Sequence, residues 1–234
     1  MLISVEGLDG VGKSSLVDSI SKELQMPIIA KPIKSILELS PFQANKIKGK
    51  IYSEYSSNVQ AMYYLLGYLS ALEDGKKYDY IFDRGFLSTY YFSYCNENSH
   101  LFDFFAHEYG FPDLTILLYA SIEKRIQRIE MRDNQDKDLQ KNRIYVDNYE
   151  KMFEAISKYN IPYIAINTEK LTQKETCDLI LKILNLWKLD EENRNYILNN
   201  YSIYDLSKNE KLSYQEQIES LTTYHQNQKK YIRK

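Results

Sequence analysis

The fold is decided by residues 2–15, which read LISVEGLDGVGKSS. The short apolar run Leu2–Val5 predicts a buried parallel strand. The segment from Gly7 to Ser14 then matches G-x-x-x-x-G-K-[ST], the pattern of a phosphate-binding loop between a strand and the start of a helix. The sequence therefore predicts a site for a nucleoside triphosphate.

Each residue type in this loop suits phosphate binding. Glycines let backbone N–H groups turn toward the phosphates, and the positive end of the following helix dipole adds to the attraction. Lys13 is predicted to reach the β- and γ-phosphates, and the Ser14 hydroxyl is predicted to bind Mg²⁺. Asp9 could accept a hydrogen bond from a substrate hydroxyl or act as a base, or it could only shape the turn. We assign ATP binding to Gly7, Asp9, Gly10, Val11, Gly12, Lys13, Ser14 and Ser15.

The rest of the chain alternates apolar runs with helical patterns. Further strands are predicted at 26–30, 80–82, 114–119 and 162–166. This alternation predicts an α/β fold of the P-loop type, with three α/β/α layers and a five-stranded parallel sheet. Residues 1–187 would form one P-loop domain, and the polar residues 188–234 a helical C-terminal extension.

Charged residues cluster where strands are predicted to end. Asp83 and Arg84 follow the third strand, where a carboxylate could bind metal and a guanidinium could grip phosphate, although a strand-end salt bridge is an alternative. Arg125, Arg128 and Arg132 are spaced by three and four residues, so they share one helix face. A polar segment continues to Arg143. We interpret it as an arginine-bearing lid that closes on the donor, the alternative being a solvated helix.

Composition narrows the range of partners. The 234 residues carry a net charge of −2, which gives no reason to expect nucleic acid or a membrane surface as partner. Cys95 and Cys177 lie far apart, which suggests neither a disulfide framework nor a zinc site. No apolar run approaches the roughly 18 residues of a membrane span. We therefore expect a cytoplasmic protein.

Three segments together resemble the thymidylate kinase family and its deoxynucleoside kinase relatives. They are residues 5–15, the Phe82-Asp83-Arg84 segment with Ser88, Thr89 and Tyr90, and Pro112-Asp113-Leu114-Thr115 with the three arginines. The resemblance covers about residues 1–185. It implies ATP as phosphoryl donor with Mg²⁺ held by Ser14 and Asp83, and a nucleoside-type acceptor. The family often forms dimers, so a homodimer is one assembly that it implies.

The acceptor side departs from both families. Thymidylate kinases carry arginines after the second strand and on the next long helix, yet this chain has no arginine before Arg84. Lys31 takes the first position approximately. Deoxynucleoside kinases place a glutamate there, for which Glu38 is a distant candidate. The resemblance assigns the acceptor to Lys31, Gln60, Tyr64, Arg84 and Tyr90, with Lys13, Asp9, Asp83, Arg84 and the arginines Arg125, Arg128 and Arg132 in catalysis.

Three functions remain open on the sequence. The leading one is phosphoryl transfer from ATP to a nucleoside monophosphate, and the alternative is a deoxynucleoside kinase. An ATP-binding regulatory or assembly protein without an acceptor site is the third, favoured by the missing arginines and the long Tyr-rich tail.

Overall fold

The computed structural model describes residues 1–30, 38–132 and 149–201. Within these ranges the strands are β1 (Leu2–Glu6), β2 (Ile28–Ala30), β3 (Tyr80–Asp83), β4 (Leu114–Tyr119) and β5 (Tyr163–Asn167). The helices are α1 (Lys13–Leu24), α2 (Pro41–Glu54), α3 (Ser57–Gly75), α4 (Phe86–Ser93), α5 (Ser99–Tyr109), α6 (Ile122–Arg132), α7 (Glu150–Tyr159), α8 (Gln173–Trp187) and α9 (Glu191–Tyr201).

The strands form one parallel sheet in the order β2-β3-β1-β4-β5. β1 is central, and its register pairs Val5 with Asp83 on one side and Glu6 with Leu117 on the other. The phosphate loop therefore leaves the sheet between the ends of β3 and β4, where ligands bind in open α/β sheets. The predicted five-stranded parallel sheet is confirmed.

The two faces of the sheet bury different side chains. Because successive residues of a strand point to opposite faces, Ile3 and Val5 join an aliphatic cluster under α1 and α8. Phe82, between them in register on β3, joins an aromatic-rich cluster under α3, α4 and α5. Each fully buried side chain of this size stabilises the fold by about 1.5–3 kcal/mol. Helices on both faces confirm the predicted three layers.

The helix after β5 begins with a paired cap. The Thr172 hydroxyl accepts a hydrogen bond from the Glu175 backbone N–H, and the Glu175 carboxylate accepts one from the Thr172 N–H at 2.8 Å. Such a box satisfies two backbone donors that a helix start leaves unpaired. The start of α8 is thereby fixed beside the phosphate loop.

The described part of the predicted extension is helical. α9 buries Ile197 and Tyr201 against the aliphatic cluster, so it packs on the same core as the sheet. The division at residue 187 stays a prediction, and residues 202–234 lie outside the described part. Among the described residues, none of the helices combines the length and the apolar character needed to cross a bilayer.

Candidate active site

A cleft of about 450 Å³ opens above the carboxyl end of β1. Much of the sequence-predicted site lines it, namely Asp9, Gly10, Val11, Gly12, Lys13, Ser14, Ser15, Arg84, Arg128 and Arg132. The loop after β5 and the start of α8 supply Thr168, Leu171, Gln173 and Thr176, which the sequence did not single out. The sheet therefore brings the phosphate loop, the strand-end arginine and two arginines of α6 around one cavity.

Lys13 is buried at the base of this cleft, with 5% of its surface exposed. Its Nζ donates a hydrogen bond to the Leu8 carbonyl at 2.6 Å and lies 4.0 Å from the Asp9 carboxylate. Burial, reinforced by the charge of Arg84, lowers the pKa of Lys13 to about 7. Loss of hydration disfavours the ammonium, so the lysine is poised to gain a proton when an anion arrives.

We expect ATP binding without divalent cation to take up a proton at pH 8. With a pKa near 7, about 0.9 of the Lys13 side chains are neutral at pH 8 and about 0.1 at pH 6, and the triphosphate favours the charged form. Calorimetry in EDTA, in buffers of different ionisation enthalpy, measures this uptake. It should fall at pH 6 and vanish in Lys13→Arg. Equal uptake in that variant would place the proton elsewhere.

The lowered pKa of Lys13 also makes the stability of the ligand-free protein depend on pH. The folded-state pKa of Lys13 lies below the ordinary value of 10.5, so above pH 7 the unfolded chain binds more protons. The contribution of this group to ligand-free stability therefore rises between about pH 7 and pH 10.5 and is least favourable below pH 7.

Arg84 and Asp9 form an ion pair across the mouth of the cleft. Arg84 adopts the left-handed backbone conformation, φ 69°, which is uncommon for a residue with a side chain and is found where the surroundings enforce it. In the described part of the chain, the buried Nη1 of Arg84 and Oδ1 of Asp83 have no hydrogen-bond partner. Buried polar atoms of this kind are suited to a ligand.

Two arginines of α6 donate hydrogen bonds to backbone carbonyls of the phosphate loop. Arg125 is fully buried, and its Nε donates to the Asp9 carbonyl at 2.8 Å. Arg128 donates to the Thr168 hydroxyl at 2.9 Å and, more weakly, to the Val11 carbonyl at 3.5 Å. These bonds keep loop carbonyls turned toward α6, which leaves the loop N–H groups to face phosphate.

The three arginines thus occupy different positions. Arg128 and Arg132 line the cleft, whereas Arg125 is not among its lining residues. A catalytic role for all three stays a prediction. The rest of the predicted lid, including Arg143, lies outside the described residues.

The predicted acceptor residues are not all brought to the cleft. The Gln60 side chain donates to the Tyr55 carbonyl at 3.0 Å, and Tyr64 packs against Tyr52 and Tyr63. Tyr90 is fully buried among aromatic rings, and its hydroxyl donates to Glu154 at 3.0 Å. Lys31 lies outside the described residues, and Glu38 is exposed. Their acceptor roles stay predictions.

Comparison with known proteins identifies the class. A model of the thymidylate kinase family matches residues 5–178, and the chain belongs to this family. It is therefore a P-loop nucleoside or nucleotide kinase.

Two kinds of relative are similar to it. A deoxyadenosine kinase from Dictyostelium discoideum is 28% identical over 195 residues, which cover 77% of each chain. Among solved structures, a deoxyadenosine kinase from M. mycoides with bound dATP has a TM-score of 0.56 at 23% identity, covering 79% of this chain and all of that one. The same enzyme with bound dCTP has a TM-score of 0.54 at 24% identity, covering 79% of this chain and 99% of that one. These structural likenesses show the fold.

Proposed function

We propose that this kinase transfers the γ-phosphoryl group of ATP to the hydroxyl of a deoxynucleoside. The ion pair between Arg84 and Asp9 carries the proposal. Arg84 is the first arginine of the chain, so no earlier guanidinium is present to bind a monophosphate, and Nη2 of Arg84 is already paired with the Asp9 carboxylate. The acceptor hydroxyl of a deoxynucleoside is uncharged, so it does not need an additional arginine to bind it. The deoxyadenosine kinase from Dictyostelium discoideum supports this choice and makes deoxyadenosine the first substrate to test.

In this mechanism positioning and charge neutralisation supply most of the catalysis. Lys13, Arg128 and Arg132 would neutralise the phosphates, because they line the cleft around the loop. The acceptor oxygen attacks the γ-phosphorus in line, the bond to the β,γ-bridging oxygen breaks, and ADP leaves. The hydroxyl proton would pass to the Asp9 carboxylate, which faces the same cleft.

The residues present fit a magnesium ion. Within the described ranges no cluster of three or more His, Cys, Asp or Glu side chains is built for a metal. Mg²⁺ needs no such cluster, because it usually takes one or two protein oxygens together with substrate phosphates and water. Ser14 at the loop and Oδ1 of Asp83, which has no hydrogen-bond partner among the described residues, would hold it. When bound, the ion would supply positive charge that neutralises the phosphates during transfer.

The experiment is a panel of deoxynucleosides and their monophosphates, each incubated with Mg-ATP. ADP release and the phosphorylated product are measured together, with Lys13→Ala as the inactive control. We expect product from a deoxynucleoside, at a rate at least about tenfold above any monophosphate. Product from monophosphates alone would contradict the proposal.

The second candidate is a nucleoside monophosphate kinase. It is favoured by the thymidylate kinase description of the matching family model and by Lys31, a cation near the second strand. Lysine can meet a phosphate as a point charge. In the same panel, phosphorylation of a monophosphate would establish this activity. ATP binding without product from any acceptor would instead favour the regulatory alternative.

A further inference from the structure

The Glu6 side chain is a fully buried carboxylate that the proposed mechanism does not use. It ends β1, directly before the phosphate loop, but it faces the neighbouring strand end. Burial raises its pKa, while the hydrogen bonds from Ser88 and Gly85 act in the opposite direction.

Five donors converge on this carboxylate. Oε1 accepts from the Gly85 N–H at 2.8 Å, the Leu87 N–H at 3.1 Å and the Ser4 hydroxyl at 3.3 Å. Oε2 accepts from the Ser88 N–H at 3.2 Å and the Ser88 hydroxyl at 2.5 Å. An ionised carboxylate only accepts, so this set of donors matches it fully.

These bonds tie one short segment to the central strand. Residues 85–88 comprise Gly85, which precedes α4, and the first residues of that helix. The backbone N–H groups at a helix start have no partner within the helix, so they need acceptors from elsewhere. A Cβ on Gly85 would lie 2.8 Å from the Ser4 hydroxyl and 3.2 Å from Glu6 Oε1. The close fit leaves the turn little room to move.

Arg84 stands immediately before this segment. Its own N–H donates to the Val5 carbonyl at 3.1 Å, and its backbone has the left-handed conformation that the surroundings must enforce. The bond from Gly85 to Glu6 fixes the peptide that follows Arg84. β1 therefore binds the backbone N–H of Arg84 through Val5 and the N–H of the next residue through Glu6.

We infer that Glu6 is a positioning residue, which fixes the turn after β3 so that the Arg84 guanidinium stays on Asp9 at the acceptor side of the cleft. The inference rests on the proposed function, in which Asp9, the ion-pair partner of Arg84, receives the hydroxyl proton. Glu6 does not touch substrate, and its effect passes through the Gly85–Ser88 turn.

The test is Glu6→Gln, which keeps the shape and turns one acceptor into an NH₂ donor facing N–H and O–H groups. We expect kcat to fall about 10–100-fold and the acceptor KM to rise, because Arg84 is displaced. The Kd for ATP should change less than about threefold, since the loop bonds to α6 are untouched. A loss confined to thermal stability, with kcat per folded molecule unchanged, would overturn the inference.

A double-mutant cycle shows whether the effect passes through Arg84. In an Arg84→Ala background, Glu6→Gln should lower kcat by less than about threefold. Fully additive losses would mean that Glu6 acts elsewhere. If Glu6→Gln does not fold, Ser88→Ala removes one donor more gently and should lower kcat several-fold. Its matched control is Ser93→Ala, a buried serine of the same helix whose hydroxyl has no partner in the described part of the chain.

A structure of Glu6→Gln separates this inference from the proposed function. Absence of turnover in the wild type on every acceptor would defeat the function alone. Displacement of Arg84 from Asp9 in the variant would still support the positioning role. An unmoved Arg84 would reject it.

Discussion

Replacing Lys13 by alanine is expected to remove phosphoryl transfer while the chain remains folded. Lys13 is buried, lines the cleft, and is expected to reach the β- and γ-phosphates. Losing it should reduce kcat/KM by about 10³-fold or more, which corresponds to about 4 kcal/mol of transition-state stabilisation. Coupled detection of ADP and phosphorylated product measures the loss.

The Lys13→Ala variant should lose activity without losing thermal stability. Since burial opposes the charged form of Lys13, its removal should leave the thermal midpoint unchanged or raise it near pH 7. Lys22→Ala is the matched control, because Lys22 is an exposed lysine of the same helix, and it should retain wild-type turnover. Wild-type turnover in Lys13→Ala would remove this lysine from the mechanism.

The second large effect is expected from Gly10→Ala. Gly10 has φ 86°, and an added Cβ would lie 2.6 Å from the Arg125 carbonyl oxygen and 2.9 Å from its Cα. Backbone atoms cannot swing aside as a flexible side chain can, so the loop or α6 must shift. We expect a loss of about 3–5 kcal/mol in the free energy of unfolding, measured by denaturant titration without nucleotide. ATP affinity should fall about 100-fold or more.

Gly12→Ala provides the comparison within the same loop. Gly12 also has a positive φ, 95°, but apart from its chain neighbours no atom of the described residues lies within 4 Å of a Cβ added there. This variant should lose only the left-handed backbone penalty of about 1–2 kcal/mol. Equal destabilisation by both substitutions would show that the contact between Gly10 and α6 is unimportant.

Much of the fold could be predicted because its signals are local. Each strand is a short apolar run, and Leu114–Tyr119 was predicted with the bounds that the structure shows. The phosphate loop is a contiguous motif whose chemistry depends on its own backbone. The strand order and register are set by packing between distant segments, and only they place Asp83 beside Val5.

The site was less predictable where residue roles depend on distant contacts. Arg125, Arg128 and Arg132 share a spacing that suggests one role, yet Arg125 is buried against the loop backbone and the other two line the cleft. Glu6 lies within the segment that resembles the family's phosphate loop, but its role could not be predicted, because its five donors come from β1 itself and from residues about eighty positions away. The position of Thr168 just after β5 offered a signal, since strand ends of parallel sheets face ligands.

The different packing on the two faces of the sheet also determines which structural changes tryptophan fluorescence can detect in this protein. Its single tryptophan, Trp187, ends α8 in the aliphatic cluster, under the guanidinium of Arg194 from α9. α8 begins at Gln173, which lines the cleft, and about 21 Å of helix separates the two ends. Emission from Trp187, excited selectively over the 22 tyrosines, is therefore expected to report the detachment of α9 and to change little when the cleft is occupied.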